Sequence, residues 1–405
     1  MSPPESLPFL DTLLHQYRQA GPWMTLAQVA GVFFAGSFVF DVIHWMLHRF
    51  MRSEIPLLRA VGSLHGAHHQ FLDERLVINP AWMVRNLLLH AVPEVSTQLA
   101  VSSLFYLFCP ALPVVLAQAT MVVLFVGVLI LRGKDLNHLP YGQVKSPHDV
   151  FLVSPSYHLQ HHENGDVFFS SYHQLFDLLF GTACVIKGRT FVVTGANGAF
   201  GKPLVEMLRR AGAKEVRTLR FGQDWTYGEV ARARPQLEGA DVLVLGHGSK
   251  VDHAMEANCD AFRDFVELFR EVSANALVAP EVWAVGSEIE AHPSFGVKEL
   301  QIYSASKRAW ARHARRYYTE RDLTYRHIVP SAFTSPMGPG LMSGRVCAAV
   351  ALFLIRRGFR YVPVTYTGVA FFNYLKFVLR WRLSPPHLPE RRTGTVPAQG
   401  VPVGA

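Results

Sequence analysis

An uncharged apolar stretch of 21 residues, 111–131, restricts the fold of this chain more than any other feature. About 20 apolar residues let a helix cross the hydrocarbon of a bilayer, where no water can satisfy backbone polar groups. Residues 23–40 are also uncharged, over 18 positions. We therefore predict two transmembrane helices. A third is predicted over residues 86–109, where His90 and Glu94 raise the cost of lipid exposure.

Basic residues flank the ends of these stretches that lie beside histidine-rich motifs. They are Arg49, Arg52, Arg59, Arg85, Arg132 and Lys134. Positive charge favours the cytoplasmic side, so we expect the motifs to face the cytoplasm. The chain start has no basic n-region before its first apolar run, so we do not expect a cleaved signal peptide. The net charge of +8 fits an anionic membrane surface, and no nucleic-acid-binding motif is present.

The histidines recur at helical spacing. The pair His44 and His48 stands at i and i+4, and two H-x-x-H-H triplets follow: His65, His68 and His69, then His158, His161 and His162. On helices each set lies on one face. A single triplet could be one core histidine beside two solvated ones, but the repetition among 19 histidines favours metal ligands.

These eight imidazoles exceed the roughly four ligands of one zinc ion and suit two metal ions. His138, between the second and third motifs, is a candidate ninth ligand or a solvated loop histidine. The four cysteines form no C-x-x-C motif, which argues against a disulfide framework or a thiolate zinc site.

The order of these motifs over residues 25–182, closed by "YHQLFDLLFGT", resembles the fatty acid hydroxylase and sterol desaturase superfamily. The resemblance implies an α-helical membrane domain over residues 1–187. It also implies a cytosol-facing dimetal centre, with iron as the expected metal and zinc as an alternative. In that superfamily the centre activates oxygen against an acyl or sterol C–H bond.

A different texture begins at residue 188. "RTFVVTGANGAFGKPLVEMLRRAGAKEVRTLRF" predicts a strand, a glycine turn, an amphipathic helix and a second strand. Gly195, Gly198 and Gly201 lie at the turn, where small residues let backbone amides approach a pyrophosphate. Further on, Ser287 ends an apolar run, and Tyr303 and Lys307 form Y-x-x-x-K. One helical turn apart, the lysine can lower the pKa of the tyrosine, which then exchanges a proton with a hydroxyl or carbonyl group.

Residues 189–340 resemble the short-chain dehydrogenase/reductase superfamily, which predicts an α/β Rossmann-like domain over residues 188–345. The resemblance makes Ser287, Tyr303 and Lys307 catalytic, assigns the three glycines to NAD or NADP, and matches Asn258 to a structural asparagine. Arg220 stands where NAD-preferring members have an acidic residue, which favours NADP. Asp224 matches an aspartate that contacts adenine. The segment 220–241 between the second and third strands is short, which suggests that one crossover helix is missing.

Residues 346–383 mix apolar runs with arginine and lysine, which fits a basic amphipathic segment on the membrane surface. The alternative is a dehydrogenase C-terminal helix with solvated charges. Residues 384–405 are rich in proline and glycine and are predicted to be disordered.

The direct fusion of these two domains resembles bacterial proteins described as bifunctional sterol desaturase/short-chain dehydrogenase. That resemblance implies an integral membrane enzyme of a cell or thylakoid membrane, acting on a membrane glycolipid. The first expected function is inversion of C4 in the glucose headgroup of a diacylglycerol glycolipid, through a 4-keto intermediate. The alternative is an oxygen-dependent lipid hydroxylase or aldehyde-processing oxidoreductase at the dimetal site.

Overall fold

The computed structural model describes residues 8–75, 77–134, 137–138, 144–147, 151–291 and 298–383. The tail predicted to be disordered, 384–405, lies outside these residues. A helical N-terminal unit is followed by a unit built on a parallel sheet, which confirms the predicted fold class.

The N-terminal unit is helical. Its α-helices are α1 (Pro8–Phe50), α2 (Pro56–Phe71), α3 (Met83–Asn86), α4 (Val92–Leu104), α5 (Ala111–Ile130), α6 (Pro155–Glu163) and α7 (Leu175–Phe180). Within the described residues, α1 from Asp11 onward and α5 are long and apolar enough to cross a membrane. The third predicted span, residues 86–109, is helical through Leu107 but is not one regular α-helix, because a π-helical turn, Leu87–Ala91, lies between α3 and α4 and a 3₁₀ turn follows α4. Its crossing of a membrane stays a prediction.

Two glycines allow close helix packing in this unit. A Cβ on Gly36 of α1 would lie 3.1 Å from the Gln98 carbonyl oxygen of α4. A Cβ on Gly62 of α2 would meet the Met51 amide nitrogen and lie 2.7 Å from the Leu47 carbonyl oxygen at the end of α1. The α1–α2 crossing that brings two histidine motifs together therefore depends on Gly62.

The C-terminal unit alternates strands and helices. In chain order these are β1 (Thr190–Thr194), α8 (Gly201–Arg210), β2 (Glu215–Leu219), α9 (Arg234–Leu237), β3 (Val242–Leu245), α10 (Ala261–Val272), β4 (Glu281–Val285), α11 (Lys298–Thr319), β5 (Thr324–Pro330), β6 (Phe333–Thr334), β7 (Met342–Ser343), α12 (Gly344–Arg356), β8 (Tyr361–Val364) and α13 (Val369–Leu383). Apolar cores lie on both faces of the sheet, as parallel strands require.

The six-stranded sheet has the order β2-β1-β3-β4-β5-β8, and all its pairs are parallel. This is the doubly wound order 3-2-1-4-5-6 without its outermost strand beyond β2. The short segment 220–241 explains the difference, because it holds only a tight turn, a 3₁₀ turn and the four-residue α9. Trp225 of that segment is buried and fills the space against Phe265.

Residues 346–383 do not form one continuous amphipathic segment. They include most of α12, the edge strand β8 and α13. β8 pairs with β5, so the sheet extends beyond the predicted domain boundary at residue 345. The segment therefore contributes to the dehydrogenase-like core.

The N-terminal unit packs against the amino ends of the sheet strands. The Val144 amide donates to the Leu277 carbonyl, and the Ala279 amide donates to the Val144 carbonyl just before β4. The Ser146 amide donates to the Arg321 carbonyl just before β5. Ahead of β8, the Ala183 amide donates to the Arg356 carbonyl. Because the strands are parallel, these contacts all lie on the side of the sheet where the strands begin.

Replacing Gly62 by alanine should disturb the α1–α2 crossing. Overpacking of this kind costs about 1–3 kcal/mol of unfolding free energy. Gly66→Ala in the same helix is the matched control, because the nearest atom to its Cβ is the flexible Met51 Cε at 3.9 Å. Helix propensity predicts that this control gains up to about 1 kcal/mol. Thermal unfolding in detergent measures both, and equal shifts of the melting temperature would contradict the packing argument.

Candidate metal centre and candidate dehydrogenase site

All nine predicted histidine ligands converge in the N-terminal unit. Their ligand atoms form two groups in which all members lie within 4.8 Å of one another. The first group is His44, His48, His65, His69 and His161, and the second is His68, His138, His158 and His162. The nine residues thus divide into one set of five and one set of four. Two separate sets of ligands are what two adjacent metal ions require.

The helices position most of these side chains. His44 and His48 lie one turn apart near the end of α1, and the two triplets lie on α2 and α6. His138 lies outside any described helix, yet its Nε2 is 3.3 Å from His68 Nε2 and 3.0 Å from His158 Nε2. Several ring nitrogens therefore lie close together. A cation bound between them would attract their lone pairs, which otherwise repel one another.

The opposite ring nitrogens are held by oxygen atoms. His44 Nδ1 lies 3.1 Å from the Phe169 carbonyl, His161 Nδ1 lies 2.8 Å from the Val167 carbonyl, and His162 Nδ1 lies 2.8 Å from the Leu72 carbonyl. An N–H at Nδ1 fixes the tautomer and leaves Nε2 as a ligand. Within the described structure, Nε2 of His44, His161 and His162 is buried without a hydrogen-bond partner.

A buried carboxylate shapes the loop that supplies some of these carbonyl oxygens. Asp177 of α7 accepts hydrogen bonds from the Phe169 and Ser170 amides at 3.0 and 2.9 Å. It also accepts one from the Tyr157 hydroxyl at 2.8 Å. Phe169 carries the carbonyl that orients His44, so Asp177 supports a ligand at one remove.

Burial and the neighbouring imidazoles keep these ligands neutral. The pKa values of His65, His69, His158 and His162 are lowered well below the usual range, first by burial and then by nearby histidines. Burial also lowers the pKa of His161 to about 4. Neutral imidazoles bind metal, and a donor set made only of imidazole suits iron or zinc. The residues present therefore fit the predicted dimetal centre.

His90 and Asn86 contribute to the centre without having been predicted as part of it. The His90 ring stacks on His68 at 3.7 Å between centroids, and Asn86 Oδ1 lies 3.0 Å from His68 Nδ1. His90 Nε2 lies 3.7 Å from a Glu94 carboxylate oxygen. Two polar residues inside an apolar stretch, His90 and Glu94, were the sequence signal that could have found this contact.

The glycine turn after β1 forms a close-packed cradle in the dehydrogenase-like unit. Gly195 has φ +66°, and a Cβ there would lie 2.5 Å from the Gly246 carbonyl oxygen. A Cβ on Gly201 would collide with the Gly195 carbonyl oxygen, whereas Gly198 has only that same atom nearby, at 3.2 Å. The turn therefore leaves its open side at the start of α8, where amides can receive a pyrophosphate.

The three predicted catalytic residues meet at the carboxyl ends of the strands. Ser287 follows β4, and its hydroxyl lies near enough to the Tyr303 phenol to lower the pKa of that phenol. The Lys307 ammonium lies 5.8 Å from the centroid of the Tyr303 ring and donates to the Val285 carbonyl at 2.9 Å. This arrangement places a phenol, a hydroxyl and a cation around one position beside the cradle.

The electrostatics of this group differ from the prediction. Burial raises the pKa of Tyr303 to about 12, although the Ser287 hydrogen bond opposes the shift. Burial lowers the pKa of Lys307 to about 8, while the Glu290 carboxylate acts in the opposite direction. The expected lowering of the Tyr303 pKa by Lys307 is therefore wrong for this arrangement, because Lys307 is turned to a carbonyl oxygen. The phenol is held in its protonated form.

Asn258 lies in a π-helical turn, Glu256–Asp260. Its amide group donates to the Ser249 carbonyl at 2.6 Å and to the Ser306 hydroxyl at 3.0 Å, which ties the loop after β3 to α11.

His247, in the loop after β3, was not predicted. Its Nδ1 lies 2.7 Å from Thr194 Oγ1, and burial followed by the Lys307 charge lowers its pKa to about 3.

Arg220 directly follows β2 and is exposed. The Asp224 carboxylate accepts a hydrogen bond from the Arg220 amide at 2.7 Å and so closes the turn after the strand. Asp224 thus has a structural partner in this turn, and its contact with adenine stays a prediction.

The chain matches no protein-family model. It is 28% identical over 371 residues to the monoglucosyldiacylglycerol epimerase of Synechocystis sp., with 79% of this chain and 87% of that relative covered. The chain resembles a glycolipid epimerase. Neither domain alone makes up 79% of the chain, so the similarity extends over both. This match confirms the resemblance predicted from the motifs.

Solved short-chain dehydrogenases resemble the C-terminal unit at low identity. One from Burkholderia cenocepacia, in complex with NADP, is 19% identical and matches with a TM-score of 0.41 over 50% of this chain and 100% of its own. Another from Sphingobium yanoikuyae, in complex with NADPH, is 14% identical, with a TM-score of 0.42 over 50% and 98%.

We predict that the purified protein carries two metal ions per chain. His161→Ala should remove an ion from the five-histidine group and His162→Ala one from the four-histidine group, because each loses a buried ligand. His173→Ala is the control, since that ring bonds to the Phe34 carbonyl and belongs to neither group. Elemental analysis gives the metal content. Folded wild-type protein that contains no metal would contradict the prediction.

We also predict that NADP binds more tightly than NAD, because the guanidinium of Arg220 can pair with a 2′-phosphate. Arg220→Asp should narrow or reverse the ratio of the two dissociation constants. Arg210→Asp, an equal charge change on the exposed end of α8, should leave that ratio unchanged. Titration by cofactor fluorescence measures both constants. Equal affinities in the wild type, unaffected by Arg220→Asp, would show that Arg220 does not contact the cofactor.

Proposed function

We propose that this protein is a glycolipid epimerase that inverts C4 in the glucose headgroup of monoglucosyldiacylglycerol and yields monogalactosyldiacylglycerol. The observation that carries the proposal is the group of Ser287, Tyr303 and Lys307 beside an open glycine cradle. The named relative supports it, because that protein is an epimerase and aligns across both domains.

The chemistry follows from the positions of these side chains. A nicotinamide, when bound, accepts a hydride and returns it. Tyr303, after losing its phenolic proton, accepts the proton of the carbinol oxygen as hydride leaves and gives it back when hydride returns, and Ser287 hydrogen-bonds to the same oxygen. Lys307 lies 5.8 Å from the centroid of the Tyr303 ring, with its ammonium group on the Val285 carbonyl. Removal of hydride from C4 leaves a ketone, and return of hydride to its other face inverts the carbon. The glycolipid is therefore neither oxidised nor reduced overall.

The alternative is an oxygen-dependent lipid hydroxylase or aldehyde-processing oxidoreductase. It is favoured by the nine converging histidines, whose ring nitrogens form two groups that could hold two iron ions. Iron supplies oxygen activation in sites of this donor type. The histidine groups lie in the unit that packs at the amino ends of the strands, whereas Ser287 and the cradle lie at the carboxyl ends. One headgroup therefore does not occupy both sites at once.

We place the protein in a membrane, with both sites on the cytoplasmic side. Two helices of sufficient length and hydropathy and a relative that acts on a membrane lipid support this proposal. The bilayer and a glycolipid are its proposed partners, and NADP or NAD with two metal ions its proposed cofactors.

Tyr303→Phe should reduce conversion of glucosyl- to galactosyl-diacylglycerol by about 10²- to 10⁴-fold, the usual effect of losing a positioned acid–base group. Metal content and membrane insertion should not change, and Tyr227→Phe should retain activity. Headgroup analysis of extracted lipids measures the conversion. The reaction should proceed without oxygen, and deuterium at C4 should largely survive. An oxygen requirement together with hydroxylated products would favour the alternative.

A further inference from the structure

A lipid substrate faces a distance problem in this fold. β1 has five residues and spans about 16 Å, so the catalytic residues stand roughly that far from the edge on which the N-terminal unit packs. The apolar helices α1 and α5 belong to that unit. A headgroup at Tyr303 therefore lies well above the lipid surface, and its acyl chains need an apolar surface to cover them.

Helix α13 extends along this distance. Near its start, the Ala370 amide donates to Glu288, the neighbour of Ser287, at 3.1 Å. Further along, the Phe377 ring packs on Tyr318 and Tyr361, which lie at the end of α11 and the first position of β8. The helix therefore runs from the carboxyl ends of the strands, where Ser287 lies, toward their amino ends. Its 15 residues measure about 22 Å, enough to cover the height of the sheet.

Apart from Lys376, the exposed side chains described on the outer face of α13 are aromatic or aliphatic. Phe371 is 59% exposed and Phe372 is 75% exposed, and Leu375 and Leu379 continue the same surface at helical spacing. Exposed aromatic and aliphatic side chains in one contiguous stripe mark a site for an apolar partner. The stripe begins beside the dehydrogenase site.

The lower part of α13 meets residues of the membrane unit. A cavity of about 330 Å³ lies between the two units, lined by Phe371 and Tyr374 of α13 together with Phe151 and Leu178. The Phe151 ring packs edge-on against Phe34 of α1, with centroids 5.7 Å apart. Phe34 lies inside the uncharged stretch of the first span. A mainly apolar surface, interrupted in the cavity by Gln174, Arg357 and Arg360, therefore extends from the span to α13.

We propose that α13 and this cavity hold the acyl chains of the glycolipid while its headgroup occupies the Tyr303 site. The inference rests on the proposed function. Its occupant is one lipid molecule drawn partly out of the bilayer, because the stripe joins the carboxyl ends of the strands to a surface that already faces lipid. Lys376 and Arg356, both exposed on this side, suit the phosphate layer next to it.

The double variant Phe372→Ser/Leu375→Ser tests the proposal with two substrates. Conversion of monoglucosyldiacylglycerol in phosphatidylglycerol/phosphatidylcholine vesicles should fall at least tenfold in kcat/KM. Conversion of soluble butyl glucoside should change less than twofold. Val346→Ser, at an exposed apolar position on α12, should affect neither. Equal effects on the two substrates, including no effect on either, would overturn the proposal.

A labelling experiment separates this inference from the proposed function. Phosphatidylcholine with a diazirine at the end of an acyl chain is photolysed in the same vesicles with the wild type and with Tyr303→Phe. Peptides of α13 should be labelled in both proteins, in addition to those of α1 and α5. Labelling of α1 and α5 without α13 would overturn the proposal. A wild type that epimerises neither substrate but is labelled on α13 would refute the function and retain the lipid path.

Discussion

The packing of nine imidazole rings into one largely buried volume is the constraint on which the N-terminal unit depends. Buried polar atoms without partners are costly, and several ring nitrogens here lack one within the described residues. A bound metal ion would offset this cost by accepting the lone pairs of those nitrogens. The carbonyls of Phe169, Val167 and Leu72 orient the rings in the folded chain. Metal binding therefore does not bear the entropic cost of ordering these ligands.

Local spacing predicted the chemistry of this chain better than its architecture. The i, i+3 and i+4 periods place the histidines of α2 and α6 on single helix faces, and periodicity alone suffices for that. The position of His138 depends on where a loop returns, and the stacking of His90 on His68 depends on a helix crossing. Neither is encoded in local spacing.

The dehydrogenase-like unit shows the same division. The glycine turn, Ser287 and Y-x-x-x-K could be predicted because each is a short motif next to a strand or on a helix. The edge strand β8 was hidden within a basic, apolar segment whose composition also fits a membrane surface. This segment pairs with β5 because β5 would otherwise be the unpaired edge strand of the sheet, and that cannot be predicted from local composition. The orientation of Lys307 toward the Val285 carbonyl likewise depends on burial rather than on sequence order.

The backbone hydrogen bonds between the units have a kinetic consequence. The amides and carbonyls of Val144, Leu277, Ala183 and Arg356 join the two halves in several places, so a hinge would have to break them together. These bonds oppose a hinge motion between the halves, so under the proposed function the lipid moves to the site rather than a domain to the lipid. For the proposed glycolipid epimerase, the encounter with substrate takes place in two dimensions. Under that proposal, turnover follows the mole fraction of glycolipid in the bilayer, not the bulk concentration, and inert lipid acts as a diluent.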